Sequence, residues 1–153
     1  MNIKVLRPRD IDHIINFEKD LLLQEIEDDT EREFAAWQAP WRVEALEHYL
    51  PLGWSFAAWE GDEGDSPLLG YFLAQPFLFY KGMTQSLWLE HLQSRSENIK
   101  NELLDLAYRL CREKHFQQLL LTLNLDFDKE KWQGFHLEKQ PDHYSILTSK
   151  IVR

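Results

Sequence analysis

Glycine is scarce in this chain, and it is missing where a phosphate site would need it. Six glycines occur in 153 residues, and none lies between Gly82 and Gly134. A cradle of bare backbone amides at a strand–helix junction places glycine just before or within the first helical turn, so a P-loop is excluded. Cysteine is nearly absent too. Cys111 alone cannot close an internal disulfide, and its helical spacing marks it as a small buried hydrophobe. With one cysteine and no metal-like spacing among the histidines, no metal site is expected. Basic residues are few, 17 Lys and Arg against 26 Asp and Glu, for a net charge of −9. That balance argues against nucleic acid, which demands a basic face, and is compatible with a cationic small molecule or a basic partner. No run of about 18 apolar residues is present, so no membrane span is expected. Met1–Val5 opens without an apolar core of signal-peptide length, which makes the cytoplasm the expected compartment. There are no repeats, low-complexity segments or linkers, and the length suits one domain over residues 1–153.

Ile3 to Arg7 alternates and reads as a short strand. From Asp10, placed as an N-cap, Ile11, Ile14, Ile15, Leu21 and Leu22 fall on one helical stripe. Gln24 to Arg32 reads as an acidic connector, and a second helical region follows, broken at Pro40 and ended by Pro51-Leu52-Gly53. Trp54 to Trp59 and Leu68 to Gln75 read as strands across a turn-rich loop over 61–67, with Phe77 to Tyr80 continuing past Pro76, which marks a bulge or an edge irregularity. A turn at Lys81-Gly82-Met83 leads to a strand over Gln85 to Leu92. The most regular helix spans Arg95 to Lys114, with Ile99, Leu103, Leu106, Ala107, Leu110 and Cys111 inward. Gln118 to Leu123 suits a central strand, a short helix covers Lys129 to Gln133, and Ser145 to Val152 closes a final pair of strands. This order gives a mixed α/β (α+β) sheet of six to seven mostly antiparallel strands flanked by about four helices.

The pattern resembles the GCN5-related N-acetyltransferase (GNAT) superfamily, whose members transfer an acetyl group from acetyl-CoA to an amine. The residues that carry the resemblance are Gly70-Tyr71, the aromatic hairpin of Phe77, Phe79 and Tyr80, Leu89-Glu90-His91-Leu92, the Leu103-Leu104 and Ala107 helix, Asn124, and Gly134-Phe135. Within the superfamily, Glu90 matches the strand position that is acidic in the diamine-acetyltransferase-like branch. The family's pyrophosphate signature, Arg/Gln-x-x-Gly-x-Gly/Ala, falls on Arg95, Asn98 and Lys100, with Ile99 between. Arg95 agrees, while Asn98 and Lys100 stand where glycines belong. The family's tyrosine acid, four residues before Gly-Phe, is here Glu130, with Trp132 nearby.

The resemblance implies acetyl-CoA as co-substrate, without a metal, held by Leu92, Gln93, Arg95, Asn98, Ile99, Lys100 and Asn124. It implies Glu90 or His91 as the base, only one of them facing the cleft if strand side chains alternate. Glu27 and Asp28 of the acidic connector, with Trp37 and Trp41, are the expected contacts of a small cationic amine or polyamine acceptor. Each position has a second reading. Ser94-Arg95-Ser96-Glu97 forms a Ser-x-x-Glu capping box, which would start the helix at Ser94 and satisfy it without a ligand. Asn98 could imitate glycine only through a positive φ. Glu90 could make an ordinary cross-strand contact, Asn124 could end its strand in an Asx turn, and the tryptophans could serve packing or a homodimer surface. The expected function is therefore an acetyltransferase for a cationic amine, with a non-catalytic binding module of the same fold as the alternative.

Overall fold

Apolar alternation and helical periodicity place twelve elements along the chain in the computed structural model, which describes residues 1–62, 66–80 and 83–148. They are β1 (Asn2–Val5), α1 (Ile11–Glu25), α2 (Asp29–Gln38), α3 (Val43–Tyr49), β2 (Phe56–Trp59), β3 (Leu68–Tyr80), β4 (Met83–Ser94), α4 (Glu97–Glu113), β5 (Gln118–Thr122), α5 (Lys129–Trp132), β6 (Glu138–Lys139) and β7 (His143–Leu147). The seven strands form one sheet in the order β1-β2-β3-β4-β5-β7-β6. Every pairing is antiparallel except β4 with β5. This is the α+β arrangement the sequence predicts. The tip of the 61–67 loop, the turn at Lys81-Gly82, the side chains of Phe79 and Tyr80 and the end of the last strand lie outside the described residues.

The sheet separates two hydrophobic clusters. On one face α4 packs Leu103, Leu104, Ala107 and Cys111 against Phe72, Ala74, Leu87, Leu89 and Leu121. The other face packs Ile14 and Phe17 of α1 and Leu46 and Tyr49 of α3 against Tyr71 and Leu73. The stripes of α1 and α4 fall where the 3.6-residue period puts them.

Three local expectations are corrected. The acidic connector shrinks to residues 26–28, because Asp28 caps α2 by accepting from the Thr30 amide at 3.1 Å. Asp29 and Glu31 then sit in the first turn, where the helix dipole favours anions. Of the bulge or edge position expected at Pro76, the bulge lies elsewhere, since Pro76 pairs in register with Leu87. Pairing to β2 ends at Phe72, and the Ala74 amide points that way to Ser55 Oγ. Two residues on, the N–H that Pro76 lacks would face the same open edge, so proline costs no ladder bond there. Lastly, Ser94 does not cap a helix. It ends β4 and donates to the Ser96 carbonyl at 2.6 Å. Ser96 is the N-cap of α4, its Oγ accepting from the Ile99 amide, and the Ser94–Glu97 capping box does not form.

Candidate functional site

β4 begins inside the sheet and ends outside it on one side. It pairs with β5 only from Ser86↔Gln118 to Leu89↔Leu121, whereas its antiparallel pairing with β3 continues to Ser94. Beyond Leu89 the β5-facing edge of β4 has no strand partner among the described residues, which leaves a slot along that edge. An extended ligand with amide groups could pair along such an edge.

The slot opens at a bulge. Leu73 pairs with His91 and Ala74 with Leu89, so Glu90 is the extra residue of β4. The bulge breaks the alternation that would have put Glu90 and His91 on opposite faces. Both side chains turn to the α1–α3 face: Glu90 to Trp88 and Tyr49, His91 to Glu18 and Tyr71. The expectation that only one of the two could face the cleft is thereby overturned.

Glu90 accepts from the Trp88 indole at 2.6 Å, and its charge reaches the nearby Tyr49 hydroxyl. Burial, and then the charge of Glu90, pushes the Tyr49 phenol up to about 12. Tyr49 therefore stays a donor at neutral pH. Next along the same face, His48 Nε2 meets Gln75 Oε1 at 2.7 Å, and Phe77 stacks on Trp88 with centroids 5.5 Å apart. The result is a carboxylate ringed by aromatic side chains, suited to an organic cation.

Sequence reasoning missed the second carboxylate. Glu18, on the sheet-facing stripe of α1, is 3% exposed. Its Oε2 accepts from the Tyr71 hydroxyl at 2.5 Å and lies 2.6 Å from His91 Nε2. Facing a carboxylate oxygen, that nitrogen is the one carrying hydrogen. Burial and the charge of Glu18 hold the Tyr71 phenol well above its ordinary value. The only sequence signal was a glutamate in register with Ile14 and Leu21, on a stripe otherwise apolar.

The residues expected to hold a cofactor lie along the end of β4, the first turn of α4 and the turn after β5, and they do not all face one way. Gly70 lets β3 approach the end of β4: a Cβ there would lie 2.8 Å from Ser94 Cβ and 2.9 Å from the Gln93 carbonyl. Leu92 is buried on the α4 side, and Gln93 Oε1 accepts from the Ser94 amide. Arg95 turns away from α4: its amide donates to the Leu69 carbonyl and its guanidinium lies 4.8 Å from the Phe17 ring centre. Asn98 is exposed within the first turn of α4, and no residue from 94 to 100 takes a positive φ, so Asn98 does not imitate glycine. Ile99 is half-buried against the α4-side core. The Lys100 ammonium lies 3.5 Å from Glu97 and 3.7 Å from Asp126, tying α4 to the segment after β5. Asn124 is exposed in the turn that follows β5. The residues fit a CoA-type ligand in part. The unpaired edge of β4 matches an amide-bearing arm, and Lys100 supplies a cation for phosphate. Glu97 and Asp126 are highly exposed and able to swing away.

The expected acceptor contacts sit apart from Glu90 and His91. Glu27 is exposed, its carbonyl taken by Arg32, and Asp28 is spent on the α2 cap. Trp37 is exposed and Trp41 buried, and both line an open cleft of about 890 Å³ between α1, α2 and α3. Ile15, Lys19 and Leu22 form its α1 wall, one step round the helix from Ile14 and Glu18. Lys19, Arg32 and Arg42 balance Asp29, Glu33 and Glu44 there, so the cleft does not concentrate negative charge. At the position matching the family's tyrosine acid, Glu130 is exposed, and Trp132 is buried against Tyr108 and Phe135. Among the described residues no cluster of three potential metal ligands occurs, and no helix is long and apolar enough to cross a membrane.

No protein-family model matches the sequence, and no curated protein does. Solved structures do match in shape. The PaiA N-acetyltransferase of Thermoplasma acidophilum in complex with coenzyme A superposes with a TM-score of 0.62 at 13% identity, over 97% of this chain and 98% of that one. A GNAT family acetyltransferase from Brucella melitensis in complex with acetyl-CoA gives 0.60 at 18% identity, over 99% and 90%. The Drosophila melanogaster polyamine N-acetyltransferase, an enzyme that forms N-acetylagmatine, gives 0.55 at 10% identity, over 95% and 96%. The seven-stranded sheet opened between β4 and β5 is the fold of the GCN5-related N-acetyltransferases.

Proposed function

We propose that the protein transfers an acetyl group from acetyl-CoA to a small cationic amine. The observation that carries this reading is the bulge at Glu90, which sets a carboxylate and an imidazole side by side where β4 loses its β5 partner. The main chain beyond the bulge pairs with the amide-bearing arm of the co-substrate, and Asn124, in the turn after β5, steadies that arm. Lys100 and the Glu97 and Asn98 amides of α4's first turn take the pyrophosphate, as orphan donors at a helix start do. Glu90 holds the ammonium among Trp88, Tyr49 and Phe77, and the base comes from the Glu90–His91 pair. Similarity to structures that contain CoA or acetyl-CoA, and to a polyamine N-acetyltransferase, supports the reading.

A second reading has its own observation. The Ser96 cap takes the Ile99 amide and Lys100 pairs with Glu97 and Asp126, so part of the α4 terminus is already satisfied without any ligand. On that reading the fold serves as a binding module. Titrating acetyl-CoA into the protein, followed by calorimetry and tryptophan fluorescence, separates the two. Saturable binding that Lys100→Glu abolishes, and thiol release with a panel of di- and polyamines, are the expected results. No heat and no fluorescence change up to millimolar acetyl-CoA would retire the enzyme.

A further inference from the structure

Glu18 is the only carboxylate buried among the described residues. An anchor for α1 would not need it, since Ile14 and Phe17 already dock that helix on Tyr71 and Leu73. An apolar side chain would dock better, because a buried charge loses hydration that only close partners restore. Glu18 has two such partners on one oxygen, and one of them is His91, the neighbour of the bulged Glu90. The side chain of His91 keeps 16% exposure while Glu18 is sealed beneath it. With Nε2–H committed to Glu18, Nδ1 is the nitrogen left to accept a proton, and no described residue hydrogen-bonds it. Glu90 is held by the Trp88 indole and faces Tyr49, which suits it to gripping a cation.

We infer that Glu18 is a positioning residue for His91, forming a carboxylate–imidazole pair that makes His91 the base of the reaction while Glu90 holds the ammonium. This rests on the acetyl-transfer reading above. The ammonium R–NH₃⁺ gives one proton to His91 Nδ1, and Glu18 stabilises the imidazolium through Nε2–H. The freed nitrogen lone pair attacks the thioester carbonyl carbon. The C–N bond forms, the C–S bond breaks, and its electron pair leaves on sulfur. A second proton from the nitrogen ends on the thiolate, and His91 returns the first to water. The products are the N-acetylamine, free CoA thiol and one proton. Tyr71 holds Glu18 from the other side, so its hydroxyl acts at one further remove.

The test uses Glu18→Gln, whose amide oxygen can still accept from Tyr71 and His91 but carries no charge. With acetyl-CoA and 1,4-diaminobutane, kcat is expected to fall about 10- to 100-fold, with the amine KM and acetyl-CoA affinity within about twofold of wild type. The double variant Glu18→Gln with His91→Gln should be no slower than His91→Gln alone. An unchanged kcat in Glu18→Gln, or losses that multiply in the double variant, overturns the pairing and leaves the acetyl-transfer reading standing. Tyr71→Phe keeps the proposal open to test should Glu18→Gln fold poorly: a several-fold loss of kcat supports it, and full activity overturns it. A wild-type protein that binds no acetyl-CoA defeats the functional reading, and the base role with it. Nitrogen-15 spectra of the imidazole then read the pairing without turnover. A single Nε2–H tautomer that Glu18→Ala converts to a mixture supports it, and a mixture in the wild type overturns it.

Discussion

On one face of the sheet, Leu87, Leu89, Leu103, Leu104 and Leu121 pack without a charged side chain among them; on the other, Tyr71 and Leu73 share their cover with Glu18. The first face is a helix-on-sheet core in which apolar side chains of suitable volume suffice. The second is interrupted by a bulge and closed by hydrogen bonds to two carboxylates. Apolar packing is concentrated where the ladder is regular, and the candidate site residues where it breaks. The bulge serves both, since it leaves Leu89 and Leu92 on the α4 side while turning Glu90 and His91 together to the other.

The contrast is broken most severely by Leu103→Ala on the α4 face. Leu103 is fully buried, and its truncation should cost about 2–5 kcal/mol in urea unfolding. A loss below 1 kcal/mol would mean that this face is loosely packed. Gly70→Ala comes next. Its methyl would press on Ser94 and the Gln93 carbonyl, forcing the end of β4 aside at about 1–3 kcal/mol. If acetyl-CoA binds, affinity should fall in the same variant; unaltered stability would show that the two strands separate freely. Smaller still, Ser96→Ala should remove the α4 cap at about 1 kcal/mol, and Ser94→Ala should cost less. A larger effect at Ser94 would return the cap to the position the capping box predicts.

The mildest probe is alkaline titration of wild type against a variant at one group on each face, with Tyr71 a further contributor beside Tyr49. Burial raises the Cys111 thiol from 9.0 to about 12 on the α4 side, and Tyr49 rises from 10.0 to about 12 on the other. In both, the folded state favours the protonated form. Their contribution is therefore complete below pH 9 and 10 respectively, and is lost as pH climbs toward 12. Cys111→Ala should flatten the decline from its lower end, and Tyr49→Phe only above pH 10. A wild-type stability level from pH 9 to 12 would contradict both assignments.

Much of the frame was legible in the chain. The stripe of Leu103, Ala107 and Cys111 and the apolar runs from Leu68 and Gln118 are local signals, and each became the element it predicts. Glu90 and His91 were identifiable as candidates, but their shared face was not. Alternation presumes a regular ladder, and the extra residue shows only when β3 is paired with β4. Ser94 and Ser96 are both chemically able to cap, and the choice fell to Ser96 because β4 keeps pairing as far as Ser94. Glu18 reads in isolation as one more charge on a surface helix, and its partner His91 lies 73 residues away.

Composition and periodicity thus determined the order of strands and helices, their apolar faces and the type of sheet, because those signals lie within a few residues of one another. The tertiary structure alone decided that Glu18 is buried, that Glu90 and His91 look the same way, and that β4 parts from β5 after Leu89. Strand register and the docking of α1 set those outcomes. Both depend on contacts between residues far apart in the chain, which no local pattern encodes.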